Sequence, residues 1–490
     1  MSNRREFLQT LAAGTACGLA AKSGLSLASG SAMPADLGGA FKAVPKSFEK
    51  RALTLEGNWP ADLRGSLYRN SPAMLERNGF QHSHLFDGDG MIQKFSLEGG
   101  KVFHQAQMVA TDKFLKEEDA ERFLYHGLGS SPPNARAARN NDSANPANIS
   151  VRKMGDKLFA LWEAGSAYEI DPENLSTYGR VDWGEDLKHL PFSAHPLRDA
   201  NGDWWNIGSW IYSGQARTII YQLDAQAKLK RVKAIPMNQA GYMHAFALSQ
   251  RFVILVNTAH LYTPGKRYFD SFNFDAKGKT EIVLLDKNDL SVFKTIEIPA
   301  NFVFHFGNAF EQGDELFISM AQYHNADIMA KGLGLGPQSA FAKEATQYNS
   351  DLSVYRINLK NGKWQKQSSQ LAMEFPNFRE ATPYTAQNLI GMGRPTGPTD
   401  KADQDYLISY HPLSGEREIY DFGSGFTIEE PLFINGASGQ EYVIHSLADR
   451  QKSRSGLALF RSGELKAGPI AMAWAEEQFP FGFHGCFVPS

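Results

Sequence analysis

The sequence predicts an all-β protein built as a β-propeller. Three observations carry this. From residue 33 onward the chain alternates strand, turn and strand almost without interruption. Glycine is frequent (44 residues) and aromatic content high (12%), the composition of many strands joined by tight turns. About twenty short antiparallel strands leave edges that must be covered. A sandwich of that size covers them poorly, whereas four-stranded blades arranged around an axis cover them by radial repetition. No repeat is visible as self-similarity, so the propeller rests on strand number and length.

The elements follow in order. MIQKFSLEGGKVFHQAQMVAT (91–111) is a hairpin turning near Gly99-Gly100, and ISVRKMGDKLFALWEAGSAYEID (149–171) turns at Gly155-Asp156. HPLRDANGDWWNIGSWI (195–211) turns at Asn201-Gly202. RFVILV, TEIVLLDKNDLSVFKTIEI, DELFISMAQY, SVYRINLKNGKWQKQ, QDYLISYHPLSGEREIYDF and EYVIHSLADRQKSRSGLALF continue the pattern. Helical periodicity is confined to 113–126 and part of 326–346, which predicts a few helices and loops capping one face.

A net charge of −3 over 490 residues carries no nucleic-acid footprint. Residues 1–32 have the form of a twin-arginine export signal: Arg4-Arg5, Phe7-Leu8, a short Ala- and Gly-rich apolar run, then Lys22. The run is too short to span a bilayer. Cleavage is expected near residues 28–33, leaving a single domain over 33–490 in the periplasm. Loss of the signal removes Cys17 and leaves Cys486, so no internal disulfide is expected and stability must come from a large core.

Thirteen histidines are present, and none falls in a standard zinc pattern. His82, His84, His104, His126, His189, His260, His324, His411 and His445 lie in polar or loop-like surroundings and read as mostly surface or structural. Four differ. His195 (PFSAHPL), His244 (GYMHAFALS), His305 (FVFHFGNAF) and His484 (FGFHGCF) are flanked by apolar or small residues at strand starts or within strands. Burying each without a partner is costly. Either each is a satisfied core residue, or all four share one ion on the axis; imidazole suits Zn, Cu, Fe and Ni alike.

The chain also resembles the carotenoid cleavage oxygenase family from about residue 50 to the end. GNWPADLRGSLYRNSPA (57–73) and HLFDGDGMIQKF (84–95) match its opening. AHP, MHAF, FHFGNAF and GFHG, with LWEAG, EFPNF and EEPLF, fall in family order. The resemblance implies seven blades with a non-haem Fe(2+) on the axis, held by His195, His244, His305 and His484. It implies outer carboxylates Glu163 on His244, Glu374 on His305 and Glu430 on His484, with none on His195; Glu429 reads as a surface charge. His244-Ala245-Phe246 departs from the family's usual His-Asp-Phe.

The implied reaction adds O2 across a conjugated C=C of an apolar substrate, giving two carbonyl products, with no catalytic side chain beyond the iron centre. Trp162, Phe304, Phe306 and Phe310 are candidates for the substrate tunnel lining, with core packing the equal alternative for each. An apolar mouth docking on lipid is expected, with 328–342 as its candidate, a segment that reads equally as an interior loop. Phe103 stands where stilbene cleavers carry a substrate-holding Tyr, and no Lys is apparent in RNNDSANPANIS, which favours a carotenoid or apocarotenoid over a stilbene or phenylpropene. The rival reading is a non-catalytic periplasmic binding propeller. The FDGDGM loop reads as structural, with Asp87 and Asp89 capping turns and glycines at positive φ.

Overall fold

The computed structural model describes residues 46–211, 215–264, 269–335, 348–394 and 404–490. The export signal, its cleavage point and the domain start at 33 lie outside these residues, as does 336–342 of the segment read as lipid-facing.

Seven antiparallel sheets of four to six strands surround a common axis. The second is formed by Ser150–Met154, Lys157–Leu161, Tyr168–Ile170 and Thr177–Arg180, each strand pairing with the next in sequence. The third starts at Leu197–Arg198, the fourth at Ala247–Leu248, the fifth at Phe302–Gln312 and the sixth at Ala372–Asn377. These first strands are innermost.

Apolar clusters fill the walls between neighbouring blades, which explains the unbroken apolar run in Phe252–Asn257. Phe252, Ile254 and Val256 pack toward the fifth sheet, against Ile318 and Ile357. Val253 and Leu255 face the other way, toward the third. Each such side chain fully buried contributes about 1.5–3 kcal/mol, so adjacent blades cannot slide without exposing a whole wall.

The ring closes twice. The last strand, Gly485–Pro489, pairs with Arg64–Met74 and completes the first sheet from inside. Near the start of the described chain, Thr54–Gly57 pairs with Ala471–Trp474 and completes the seventh from outside. Arg69 sits at this closure, 1% exposed. Its Nη1 donates to the carbonyl and Oε2 of Glu430, both at 3.1 Å; its Nη2 donates to Glu429 Oε2 at 3.3 Å and the Phe483 carbonyl at 3.1 Å. Glu429 is therefore not a surface charge: it is buried, ion-paired, and accepts from the Ser446 hydroxyl. Burial pushes both carboxyls up, and Arg69 opposes the shift.

Other expectations also need correction. His82, His84, His104, His260 and His445 are buried. They fit because neutral imidazole packs like an aromatic ring. His104 stacks on Phe95 at 4.3 Å and bonds Gln93 Oε1 through Nε2 at 3.1 Å, and burial lowers its pKa to about 3. The helix expected over 113–126 is Asp112–Asp119, capped by Thr111. It stops because the buried Glu117 carboxylate accepts from the amides of Leu124 and Tyr125, drawing the following chain back across the helix. In the described part of 326–346 only Ile328–Gly332 is helical. Within it Ile328 and Met329 are buried, whereas Ala330 and Lys331 are exposed.

In the FDGDGM loop Asp87 accepts from the amides of Leu128 and Gly129. Asp89 instead binds Lys113 Nζ at 2.7 Å. Gly88 and Gly90 are not at positive φ. Gly90 is needed for close approach, since a Cβ there would lie 2.3 Å from the Ala147 carbonyl oxygen.

Two substitutions test this framework. Arg69→Met strands two buried carboxylates and is expected to cost about 3–5 kcal/mol in urea unfolding; a change under about 0.5 kcal/mol, as for surface sites, would mean the closure does not depend on it. Gly208→Ala places a Cβ 1.9 Å from the Pro191 carbonyl oxygen. It is expected to cost about 1–3 kcal/mol, read as a lower urea midpoint at constant m.

Candidate metal centre

The innermost strands bring distant histidines to one end of the axis. His195 precedes Leu197–Arg198, His244 precedes Ala247–Leu248, His305 lies within Phe302–Gln312, and His484 directly precedes Gly485–Pro489. These strands belong to the third, fourth, fifth and first sheets. One nitrogen from each ring lies within 4.8 Å of the other three. The Nε2 atoms of His195 and His244 are 2.9 Å apart, and those of His305 and His484 are 3.1 Å apart.

The far side of each ring shows which nitrogens are bare. His305 Nδ1 lies 2.6 Å from Glu374 Oε2, and His484 Nδ1 lies 3.0 Å from Glu430 Oε1. With each carboxylate accepting from its ring, the proton sits on Nδ1 in both. Both Nε2 atoms then present lone pairs to each other at 3.1 Å, an arrangement that repels unless a cation lies between them. The donor set therefore fits a metal. The 2.9 and 3.1 Å separations are close enough for each pair of Nε2 atoms to share one ion.

The supports of the other two rings differ. His244 Nδ1 has Glu163 Oε2 at 3.4 Å and the Tyr242 hydroxyl at 3.3 Å. Among the described residues no carboxylate pairs with His195. Its segment is instead pinned to strand Trp204–Trp210: Ser193 Oγ donates to Asn206 Oδ1, the Asn206 amide donates to the Ser193 carbonyl, and the His195 amide donates to Ser193 Oγ. Gly208 leaves room for the segment to lie there. Burial holds the imidazoles of His195 and His484 well below their usual pKa, and the neighbouring rings push the same way. In His244 burial lowers the pKa while Glu163 opposes it. Neutral rings are the form that ligates a metal.

A cavity opens beside the rings. His244, His305 and His484 reach its wall, with Phe86, Phe304, Phe375 and Phe483 around them. Of the aromatic residues expected to line a tunnel, Phe304 does so. Trp162 is absorbed into the interblade core. Phe306 packs on the wall between the fourth and fifth sheets, and Phe310 stacks on Phe317 at 5.0 Å. Regular alternation would put positions 304, 306 and 310 on one face; register shifts on both sides of Phe306 break that parity along Phe302–Gln312. Phe103 is also remote from the cavity, lying under Lys50 on an outer strand.

Sequence reasoning missed Phe86 and Phe375. Phe86 sits inside the FDGDGM loop, where apolar character next to a charged turn was the available signal. Phe375 follows Glu374 directly and holds φ of +50°, a left-handed conformation that a bulky residue adopts only under constraint. It places its ring 4.8 Å from His305 and 5.0 Å from His484.

The chain is 27% identical to the apocarotenoid-15,15'-oxygenase of Synechocystis, over 91% of this chain and 95% of that protein. It is 24% identical to the isoeugenol monooxygenase of Pseudomonas nitroreducens (89% and 94% covered). It is 25% identical to a carotenoid 9,10(9',10')-cleavage dioxygenase of Pisum sativum (89% and 86% covered). The solved structure of a Synechocystis apocarotenoid oxygenase variant superposes with a TM-score of 0.81 at 24% identity, covering 92% of this chain and 98% of that one. The profile of the retinal pigment epithelial membrane protein family matches residues 41–489, and the chain belongs to that family, the carotenoid cleavage oxygenases.

Proposed function

We propose that this oxygenase is an iron(II)-dependent dioxygenase cleaving a conjugated C=C bond of a carotenoid or apocarotenoid. The observation that carries this is the meeting of four imidazoles, two pairs of Nε2 atoms 2.9 and 3.1 Å apart, with three of the rings at the wall of an aromatic cavity. His195, His244, His305 and His484 would hold the iron, which when bound supplies activation of O2. In the overall reaction an alkene and O2 become two carbonyl compounds. Both oxygen atoms end in the products, and no external electron donor is consumed.

The chain's own groups hold and orient. Glu374 and Glu430 fix the rings of His305 and His484 and make their Nε2 atoms more basic. Glu163 and Tyr242 flank the outer nitrogen of His244. Phe86, Phe304, Phe375 and Phe483 exclude water and offer flat faces against which a polyene aligns. No proton need be moved by a side chain, so no acid or base is assigned.

A second reading is cleavage of a phenylpropene, favoured by the likeness to an isoeugenol monooxygenase along almost the whole chain. The twin-arginine pattern in 1–32 supports export of the folded protein to the periplasm. Among the described residues no helix is long and apolar enough to cross a membrane.

Metal analysis after anaerobic loading with Fe(2+) should find one iron per chain. His305→Ala is expected to abolish this, and Glu374→Gln to weaken affinity about 10–100-fold; full iron content in the His305 variant would overturn the assignment. Incubation with a polyene under 18O2 is expected to yield two aldehydes, each carrying label when analysed under conditions that limit exchange with water. Turnover of isoeugenol with no product from any polyene would favour the second reading.

A further inference from the structure

A loop of the sixth sheet lies at the end of the axis away from the histidines. The ligand-bearing segments stand at the starts of innermost strands, so chain leaving the far ends of those strands lies at the opposite end. Residues 378–388 leave Ala372–Asn377 there and return as Leu389–Arg394. The loop is tied to itself by the buried Gln387, which accepts from the Arg379 amide at 2.9 Å and donates to the Thr382 carbonyl at 2.8 Å.

Its outward contacts reach four other sheets. Arg379 forks onto Glu441 of the seventh, with Nε and Nη2 each 2.6 Å from a carboxylate oxygen. Asn308 of the fifth donates to the Thr385 carbonyl. From the fourth, Gln250 donates to the Tyr384 carbonyl at 3.1 Å and Lys287 Nζ donates to the Tyr384 hydroxyl at 2.6 Å. Glu380 Oε1 accepts from Nη2 of Arg152, in the second, at 2.6 Å. In a ring of seven the sixth sheet adjoins only the fifth and seventh. Contact with the second and fourth, and with Arg152 on an innermost strand, carries the loop across the axis.

Arg152 links this loop to the centre. It lies on Ser150–Met154, where the Ser150 hydroxyl donates to the Ala194 carbonyl next to His195. Its charge helps to hold the imidazoles of His195 and His484 below their usual pKa. The fastenings differ in kind from the apolar walls that join the sheets. They are polar, and water competes for them. A segment held in that way opens locally while the sheets stay folded.

We propose that 378–388 is a latch across the far end of the axis, with Glu380 on Arg152 as its catch, and that it keeps hydrophilic solutes from the metal centre. Closed, it leaves exchange with solvent to the end that carries the aromatic cavity. The guarding role rests on the metal-centre reading; the closure of the loop does not.

Two measurements on the full iron-loaded protein under nitrogen test the latch. One is hydrogen exchange of 378–388 read by mass spectrometry. The other is the rate at which an excess of a sulfonated, hydrophilic Fe(2+) chelator removes the metal. The variant Arg379→Met/Glu380→Gln/Tyr384→Phe cuts fastenings to the seventh, second and fourth sheets. Loop exchange and iron loss are each expected to rise at least about tenfold, while the strand Phe252–Asn257 keeps its protection. Lys360→Ala, which breaks an exposed ion pair with Asp314 at the same end, should change neither.

Should the triple variant not fold, Glu380→Gln alone is expected to raise both rates about threefold. Unchanged loop exchange, or faster exchange with unchanged iron loss, overturns the proposal. So does loss of protection in Phe252–Asn257 in step with the loop, because iron would then leave by general unfolding. A wild type that takes up no iron sinks the metal reading and with it the guarding role, whereas loop exchange still reports whether the latch closes.

Discussion

One buried guanidinium ties the closure of the ring to the geometry of the centre. Arg69 reaches from the first sheet to Glu429 and Glu430 in the seventh and to the carbonyl of Phe483 in the closing segment. Glu430 in turn accepts from His484 Nδ1 and from the Gly485 amide. The direction of His484 is therefore set by the same contacts that stop the ring from opening. A charge this deep would be costly if unpaired. Here its carboxylate and carbonyl partners all belong to the parts that must be joined.

The second constraint is directional. Each ligand-bearing segment lies at the start of an innermost strand, so four rings from four sheets arrive at one end of the axis. Their outer nitrogens meet different supports. Two have close carboxylates, one has a longer contact shared with a phenol, and the fourth depends on a backbone segment held by Ser193 and Asn206. Rigidity therefore comes from hydrogen-bonded side chains for some rings and from packed main chain for another. Phe375 couples the two aspects: its strained backbone follows Glu374, and its ring covers His305 and His484.

The order of strands and the turns at Gly99-Gly100, Gly155 and Gly202 were legible because turn chemistry is local. The four histidines stood out because an imidazole among apolar residues is an unusual local composition, and their order matched a known family. The burial of His82, His104 and His445 was not legible. Their immediate neighbours are polar or mixed, while the rings that enclose them come from elsewhere in the chain. Glu429 and Glu430 are adjacent and chemically identical; one faces Ser446 and the other His484, a difference set by strand direction and not by residue type.

What the sequence determined by itself was the all-β character, the positions of the turns and the residue types able to ligate a metal, since each follows from periodicity and side-chain chemistry within short windows. The tertiary structure alone decided which nitrogens are bare and which aromatic residues face the cavity. Those are relations between residues on different blades. The physical reason is that a strand offers two faces, and only the packing of neighbouring sheets settles which face meets the axis.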